Sequence, residues 1–438
     1  MLKILVWRSL RRFVTEQSGG ITILSLYIFL ASLVIGGIAL DVTRLQAEAT
    51  LMQVTADNAA HAALIRRRSS TEPAAKLTAV AIAQLNMPQQ LRGNVLTSAD
   101  VQFGTWNAVT RQFVARVGAV DAVRVSINRQ TSAGNPLPTL LLGFVGIDHF
   151  DLTRTATVID YDPGCLREGF VSDTMVDMQS NNAFLNGFCI HSNQAVKIST
   201  NNTFDPTVSV SMPSLSNLQL PSSGFNSNPG LQDALDTNRY DLRVLTRLNA
   251  TITGLTTPGS RYVPAYITST NVLTIGRNVS AATVTAGRIH RVTCAGSQTL
   301  SIANGTVLNN VVIVTNCRVS FGNGAALQNV VIATTNTDDR SFNGPNGVRI
   351  GLNDNCARGG GAQLLTMGGM DFASGLEVYG GQLLAQRNIS FSASATGLRG
   401  ASFVAHGTIS GTSGMTMSGC GGNGMEDNFR ETYVRLVE

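Results

Sequence analysis

Charged and aromatic residues are scarce in this sequence, and the basic residues form no nucleic-acid-binding pattern. Of 438 residues, 13% are charged and 6% are aromatic, whereas glycine occurs 43 times. Low charge combined with many small residues favours a repetitive β architecture over a helical enzyme core. Much of the net charge of +5 comes from the N-terminal tail and residues 66–68, and no run of Lys and Arg carries interleaved aromatics. We therefore expect no nucleic acid partner.

Charge is absent altogether from residues 21–40, which read ITILSLYIFLASLVIGGIAL. At about 1.5 Å per residue, a helix of this length spans roughly 30 Å, the hydrocarbon thickness of a bilayer. The run is preceded by the basic residues Lys3, Arg8, Arg11 and Arg12. By the positive-inside rule we expect a single-pass anchor, with residues 1–20 in the cytoplasm and the remainder exported. A cleaved signal peptide is the alternative, but its apolar region is usually shorter and ends at a small-residue site.

The cysteines form no CxxC pair, which argues against zinc and redox sites. All six cysteines follow the apolar run, and their number is even. An oxidising compartment with up to three disulfides is the economical interpretation. Pairing between sequence neighbours is favoured, although other pairings and free cysteines stay open. The disulfide candidates are Cys165, Cys189, Cys294, Cys317, Cys356 and Cys420.

Helix-forming residues continue beyond the apolar run, and strands follow them. Residues 41–68 contain no Gly or Pro, and their apolar residues predict a narrow buried stripe. The stripe comprises Val42, Leu45, Ala49, Met52, Ala56, Ala59 and Ala63. A second helix is predicted after Pro73, with Leu77, Val80, Ala81 and Leu85 on its packed face. Alternating apolar residues then predict about four strands, so residues 41–160 form a helical stalk plus a small α+β unit.

Four short pieces of the N-terminal region stand out: Gly19-Gly20 before the apolar run, Asp41 after it, ADNAA at 56–60 and FGTW at 103–106. With these pieces, residues 12–160 resemble the TadE/TadG-like proteins of Tad (Flp) pilus assembly. Cleaved pilins of this type carry a glutamate at the fifth mature position, where this chain has Ser25 or Leu24. The resemblance therefore favours the uncleaved TadG-like type. TadG-like proteins often continue into a von Willebrand A-type domain, but no DxSxS metal motif occurs here.

A repeat begins near residue 271. LSIANGTVLNNVVIV (300–314) matches VSFGNGAALQNVVIA (319–333), and the same 19-residue offset recurs further along the chain. It relates Met370 to Ile389, Phe372 to Phe391, and Leu384 to Phe403. Three short β runs per repeat, with no helix between them, predict the coils of a parallel β-helix. Leucine-rich repeats are the alternative, but Thr335 stands where their asparagine should be.

Residues in the same row of adjacent coils should stack inside the repeat. The offset places Ile313 with Ile332, and Ile302 with Phe321, in two such inward rows. Asn309 and Gln328 should lie on the turns between the β runs.

Carboxylates, on which polysaccharide-cleaving enzymes depend, are sparse in the repeat region. The adjacent pair Asp338-Asp339 is the strongest candidate for catalysis or cation binding, but a solvated loop is the simpler interpretation. His290 and His406 lack a nucleophile partner in the sequence. Fold analogy alone cannot support an activity. We therefore predict no catalytic residues, no cofactor and no metal site.

The sequence predicts a membrane-anchored multi-domain protein with a transmembrane helix, a small α+β domain and an all-β parallel β-helix-like domain. The segments are a cytoplasmic tail (1–20), a transmembrane helix (21–40), stalk plus α+β domain (41–160), an irregular Asn/Ser/Pro-rich connection (161–264), β-helix-like repeats (265–425) and a C-terminal tail (426–438).

The resemblance implies a structural or assembly component of a Tad (Flp) pilus or related secretion apparatus. It would lie in the bacterial inner membrane, with its large part in the periplasm, and would contact other Tad pilus-assembly proteins. The alternative is a membrane-anchored β-helix protein that binds or degrades polysaccharide, with polysaccharide or peptidoglycan as its partner.

Overall fold

The computed structural model of the protein describes residues 20–161 and 163–437, and this part of the chain divides into two compact units. Unit 1 comprises Met1–Tyr161 and Thr432–Glu438, and unit 2 comprises Asp162–Glu431. The cytoplasmic tail predicted for residues 1–20 lies, apart from Gly20, outside the described residues.

Unit 1 contains the three helices that precede the sheet. They are α1 (Gly20–Arg67), α2 (Glu72–Asn86) and α3 (Gln89–Arg92). The α1 helix is 48 residues long and continues without a break from the apolar run into the predicted stripe, of which Met52, Ala56, Ala59 and Ala63 are fully buried. The apolar run and the domain that follows it are therefore joined by one continuous helix.

The face that α2 presents to the core differs from the prediction. Leu77 and Leu85 are exposed, whereas Ala75, Ala79 and Ala83 are fully buried. Small side chains let two helices approach closely, so the alanines rather than the leucines face the core.

The main sheet of unit 1 contains the four predicted strands and one more. The strands of unit 1 are β1 (Val101–Asn107), β2 (Gln112–Ala115), β3 (Ala122–Arg129), β4 (Leu137–Pro138), β5 (His149–Phe150), β6 (Leu152–Tyr161) and β30 (Tyr433–Leu436). Of these, β4 and β5 form a separate two-stranded hairpin. The sheet is antiparallel with the order β2-β1-β3-β6-β30. The predicted tail at 426–438 was therefore wrong in part, because β30 returns to pair with β6.

Unit 2 is a parallel β-solenoid of about 12 turns. Its helices are α4 (Gly164–Arg167), α5 (Leu231–Ala234), α6 (Arg243–Thr246) and α7 (Leu248–Gly254). Its strands are β7 (Gly169–Ser172), β8 (Met175–Met178), β9 (Ala183–Leu185), β10 (Cys189–Ser192), β11 (Ala195–Ile198), β12 (Thr203–Phe204), β13 (Ser209–Met212), β14 (Leu218–Gln219), β15 (Leu235–Thr237), β16 (Ser269–Thr274), β17 (Asn278–Val279), β18 (Arg288–Val292), β19 (Thr299–Ile302), β20 (Val307–Thr315), β21 (Arg318–Phe321), β22 (Ala326–Thr334), β23 (Phe342–Gly344), β24 (Arg349–Ile350), β25 (Ala362–Thr366), β26 (Met370–Ala385), β27 (Ile389–Ala405), β28 (Ile409–Gly411) and β29 (Thr416–Ser418).

The inward rows of the repeat agree with the predicted register over most of its length. Ile313 pairs with Ile332 and Ile302 with Phe321, and these side chains are buried in one hydrophobic core. No helix interrupts the described residues 269–418, which excludes the leucine-rich alternative. One predicted pair was wrong: Leu384 pairs with Val404, not Phe403, because the register between β26 and β27 shifts at bulges.

The segment predicted as an irregular connection belongs largely to the solenoid. The sequences SNNAF (180–184) and TNNTF (200–204) repeat at an offset of 20, and β7, β10 and β13 pair in parallel at the same offset. Asn182, Asn202 and Asn228 are buried. The backbone N–H of Asn182 donates to the side-chain oxygen of Asn202, and the backbone N–H of Asn202 donates to that of Asn228, both at 3.0 Å. The abundant asparagines thus form a hydrogen-bonded ladder inside the turns.

The turns do not stack in sequence order. Along one face the order in space is β16, β18, β20, β22, β25, β26, β27, β7, β10, β13 and β15. The first turns of the chain therefore stack on the last ones. The connection at 238–268 crosses the outer face of the solenoid, where Leu245, Leu248 and Ile252 pack against residues such as Val312 and Val331.

The register predicts how the solenoid responds to charge. Ile313→Asp should destabilise it by at least about 3 kcal/mol, because the carboxylate would be buried without a partner. The exposed Asn309 should accept Lys with a change within about 0.5 kcal/mol. Limited proteolysis of the full chain in detergent should show roughly hundredfold faster cleavage for Ile313→Asp. Equal cleavage rates for Ile313→Asp and Asn309→Lys would contradict the stacking.

Candidate functional site

The carboxylate pair at Asp338 and Asp339 does not form an acid/base site. Asp338 forms an ion pair with Arg318, and Asp339 forms one with Arg387 at 2.6 Å. The hydrogen bond from Arg318 holds the pKa of Asp338 below its ordinary value. Because each carboxylate contacts an arginine, neither lies in the apolar, cation-free surroundings that favour the protonated form of a general acid.

Other acidic side chains of the solenoid are likewise paired with cations on neighbouring turns. The pairs are Asp177 with Lys197 at 2.9 Å, Asp371 with Arg340 at 2.8 Å, and Glu377 with Arg349 at 2.7 Å. Such exposed pairs contribute at most about 1 kcal/mol each, so they mainly neutralise the surface. Within residues 20–161 and 163–437, no group of three His, Cys, Asp or Glu side chains could hold a metal ion.

The two histidines singled out in the sequence lie in different environments. His290 is fully buried in the row of Ile313, and its Nε2 accepts the N–H of Thr285 at 3.1 Å. Burial, aided by the positive charge of Arg288, lowers the pKa of His290 and favours the neutral ring. His406 is half-buried, with its Nδ1 3.4 Å from Asp173.

A polar groove of about 530 Å³ lies beside His406. Asp173, Arg239, Tyr240 and Asp241 also line it. The ring of Tyr240 packs on the ring of His191, with centroids 4.1 Å apart, so this face of Tyr240 is covered by the protein itself. The groove offers charged and hydrogen-bonding groups for a polar ligand.

A buried carboxylate lies where the apolar run ends. Asp41 is 1% exposed, and its two oxygens accept the backbone N–H groups of Leu140, Leu141 and Leu142 at 2.7, 2.9 and 2.8 Å. These donors begin a 3₁₀ turn at Leu142–Val145. Asp41 therefore fastens the loop at 139–147 to α1, a role that its position in the sequence did not reveal.

The hydrogen bonds outweigh the cost of burying this charge. Burial alone raises the pKa of Asp41, but the three backbone N–H groups lower it, and Arg44 adds a favourable charge. The resulting pKa lies below the ordinary value of 3.8, so the carboxylate is ionised near neutral pH. An ionised carboxylate accepts hydrogen bonds only, and here it meets only donors.

The structure brings the six cysteines together as three pairs of sequence neighbours. Cys165–Cys189 and Cys294–Cys317 have Cα atoms 4.9 and 5.3 Å apart, and Cys356–Cys420 has 5.8 Å. The partners of the first two pairs are 24 and 23 positions apart in the sequence, about one solenoid turn. Each therefore links one turn to the next.

Removing the charge of Asp41 should release the loop. In Asp41→Asn, an amide N–H₂ group replaces one of the acceptor oxygens, and the N–H groups of Leu140, Leu141 and Leu142 should exchange with deuterium faster than in the parent. Asp57→Asn, on the same helix, is the matched control and should leave these N–H groups unchanged. Slow exchange in both variants would show that the carboxylate does not hold the loop.

Protonation of Asp41 should have the same effect. Its folded-state pKa is lowered, so its contribution is fully present above the ordinary value of 3.8 and is lost as the pH falls through the lowered value. As the pH is lowered from neutral, the N–H groups of Leu140, Leu141 and Leu142 should therefore stay protected from deuterium exchange down to pH 3.8 and lose this protection only at lower pH.

Acid should weaken the solenoid through His290. Because its folded-state pKa is lowered, stability is full above the ordinary value of 6.5 and falls as the pH drops below it. His290→Leu should reduce this loss, as measured by protease resistance of the solenoid between neutral and acidic pH. His406→Leu, at the half-exposed position, is the control and should leave the loss of protease resistance in acid unchanged. If His290→Leu also left that loss unchanged, His290 would not be its cause.

Three family models match the chain, in an order that follows the two units. The model of TadE/G-like Flp pilus-assembly proteins matches residues 19–76, and the model of Tad-like Flp pilus-assembly proteins matches residues 58–157. Domain of unknown function DUF7867 matches residues 169–421, more than half of the chain. No curated protein and no solved structure gives a match. The pilus-assembly matches support a role in Flp pilus assembly and imply interaction with other pilus components. The chain belongs to the DUF7867 family, and its N-terminal region matches the models of TadE/G-like and Tad-like Flp pilus-assembly proteins.

Proposed function

We propose that this protein is a structural or assembly component of a Tad (Flp) pilus or a related secretion apparatus, anchored in the bacterial inner membrane by residues 21–40. The observation that carries the proposal is the unbroken α1 helix, which covers most of the first pilus-assembly match and ends near the start of the second. Its first part is apolar with exposed side chains, and its second part contributes Met52 and Leu64 to the core of unit 1. One helix can therefore serve both as the membrane anchor and as part of the folded domain.

The proposed orientation places the N-terminus in the cytoplasm and both units in the periplasm. Basic residues precede the apolar run, in the part of the chain outside the described residues. All three cysteine pairs lie in unit 2, and an oxidising compartment would let them form disulfides. A disulfide between partners 23 or 24 positions apart, as in the first two pairs, contributes about 3 kcal/mol to the free energy of unfolding. These features agree with export of everything after Leu40.

The proposal assigns no catalysis to the solenoid. Several of its acidic side chains are paired with arginine or lysine from other turns. The stacked turns instead present a regular, nearly neutral surface that suits contact with other pilus components.

Polysaccharide or peptidoglycan binding is the second candidate function. The groove beside His406, with Asp173, Arg239 and Asp241 along its wall, is the feature that favours it. Sugar hydroxyl groups are recognised by such combinations of charged side chains.

Affinity purification from crosslinked host membranes tests the proposal. The intact chain should bring other pilus-assembly proteins with it, enriched severalfold over the control. In the matched control, a cleavable signal peptide replaces residues 1–40, so that the same folded units are exported without an anchor. Because only the anchored form is held beside the membrane complex, recovery of the partners should fall in the control.

Two results would contradict the proposal. One is an intact chain that fractionates with soluble proteins. The other is a folded, membrane-bound chain that brings no pilus-assembly protein with it; saturable binding of peptidoglycan fragments by that chain would then favour the second candidate.

A further inference from the structure

The loop that Asp41 fastens has an apolar and exposed surface. Residues 139–147 read TLLLGFVGI, without a charge. Leu140 is 58% exposed and Phe144 is 88% exposed. Large apolar side chains grouped on one short loop usually mark a contact with an apolar partner.

The loop lies beside the apolar half of α1. A Cβ atom built on Gly37 would lie 2.9 Å from the Cβ of Leu141, so helix and loop touch there. Further along, Leu30 and Val34 face Phe144 across a cleft of about 390 Å³. At about 1.5 Å per residue, Leu30 lies about 15 Å along the helix axis from Leu40, the end of the apolar run.

The apolar run is too short to cross a bilayer if this loop stays outside it. If the loop stayed in water, only residues 21–30, about 15 Å of helix, would remain to cross about 30 Å of hydrocarbon. The charged residues at 11, 12 and 16 prevent the span from starting before residue 17, and residues 17–30 would cover only about 21 Å. A helix that crosses at 21–40 must therefore take the loop into the membrane with it.

We propose that residues 139–147 are a second membrane-embedded element, which enters the outer leaflet beside α1 and contacts lipid acyl chains. The proposal rests on the membrane anchor of the proposed function. An acyl chain would fill the cleft between Val34 and Phe144, which is lined by apolar side chains. Lipid is the occupant because the exposed faces of helix and loop form one continuous apolar surface at the same depth.

The backbone of the loop is suited to an apolar surrounding. Non-helical backbone is tolerated in a membrane only where its polar groups are satisfied. Asp41 accepts three of the N–H groups, and the N–H groups of Phe144, Gly146 and Ile147 bond to carbonyls within the loop at 3.1–3.2 Å. The hydroxyl of Thr139 donates to the carbonyl of Ile147 at 2.6 Å. The ionised side chains of Asp41 and Arg44 then mark the level of the membrane surface.

Tryptophan probes in the full chain, reconstituted into phosphatidylcholine vesicles, test this inference. Trp7 and Trp106 are first replaced by Phe. Phe144→Trp probes the loop, Ile28→Trp the helix and Val117→Trp, at a position 96% exposed, the aqueous surface of unit 1. Phospholipids brominated on their acyl chains should quench Phe144→Trp and Ile28→Trp severalfold more than Val117→Trp. Iodide in the water should show the opposite order.

The three probes separate failure of the loop from failure of the anchor. Quenching of Ile28→Trp without Phe144→Trp would leave the anchor in place and overturn the loop insertion. A Phe144→Trp shielded from both iodide and brominated lipid would show that protein rather than lipid covers the loop, which also overturns it. If lipid quenches none of the three, the anchor itself is wrong.

Discussion

The parallel pairing of β27 with β7 is the contact on which unit 2 depends. Ser402–Ala405 pair with Gly169–Ser172, and the other two faces repeat the junction through β28 with β8 and β29 with β9. Without it, two short solenoids would each expose an open edge. With it, they share one interior, where Phe170 lies 5.1 Å from Phe403 between ring centroids.

The sequence allowed prediction of the solenoid where apolar residues repeat, and not elsewhere. Ile313 and Ile332 reveal their register because both positions keep a large β-branched side chain. The turns at 169–237 were missed because Asn182 and Asn202 take interior positions, and asparagine ordinarily indicates a loop. The order of stacking could not be predicted, because any turn of such a solenoid offers a similar edge to any other.

The contact between Asp41 and the loop at 139–147 was predictable only in part. Asp41 stood out as the first charge after the apolar run, but its donors lie about 100 residues further along the chain. No periodic pattern links a single carboxylate to a distant loop. Residues 139–147 were too short for a second span by hydropathy. Their meaning depends on where the fold places them along α1, which only the three-dimensional structure shows.

The order in which the turns stack has a consequence for export. On the proposed route, residues 169–237 would be the first turns of the solenoid to cross the membrane, yet one of their neighbours is formed by the last turns. Ser172 donates its hydroxyl to the carbonyl of Gly407, 235 residues later in the chain. The early turns must therefore wait, with one edge unpaired, until translocation is almost complete. A chain stalled halfway would present that edge to the proteases of the compartment, so only fully translocated molecules would escape degradation.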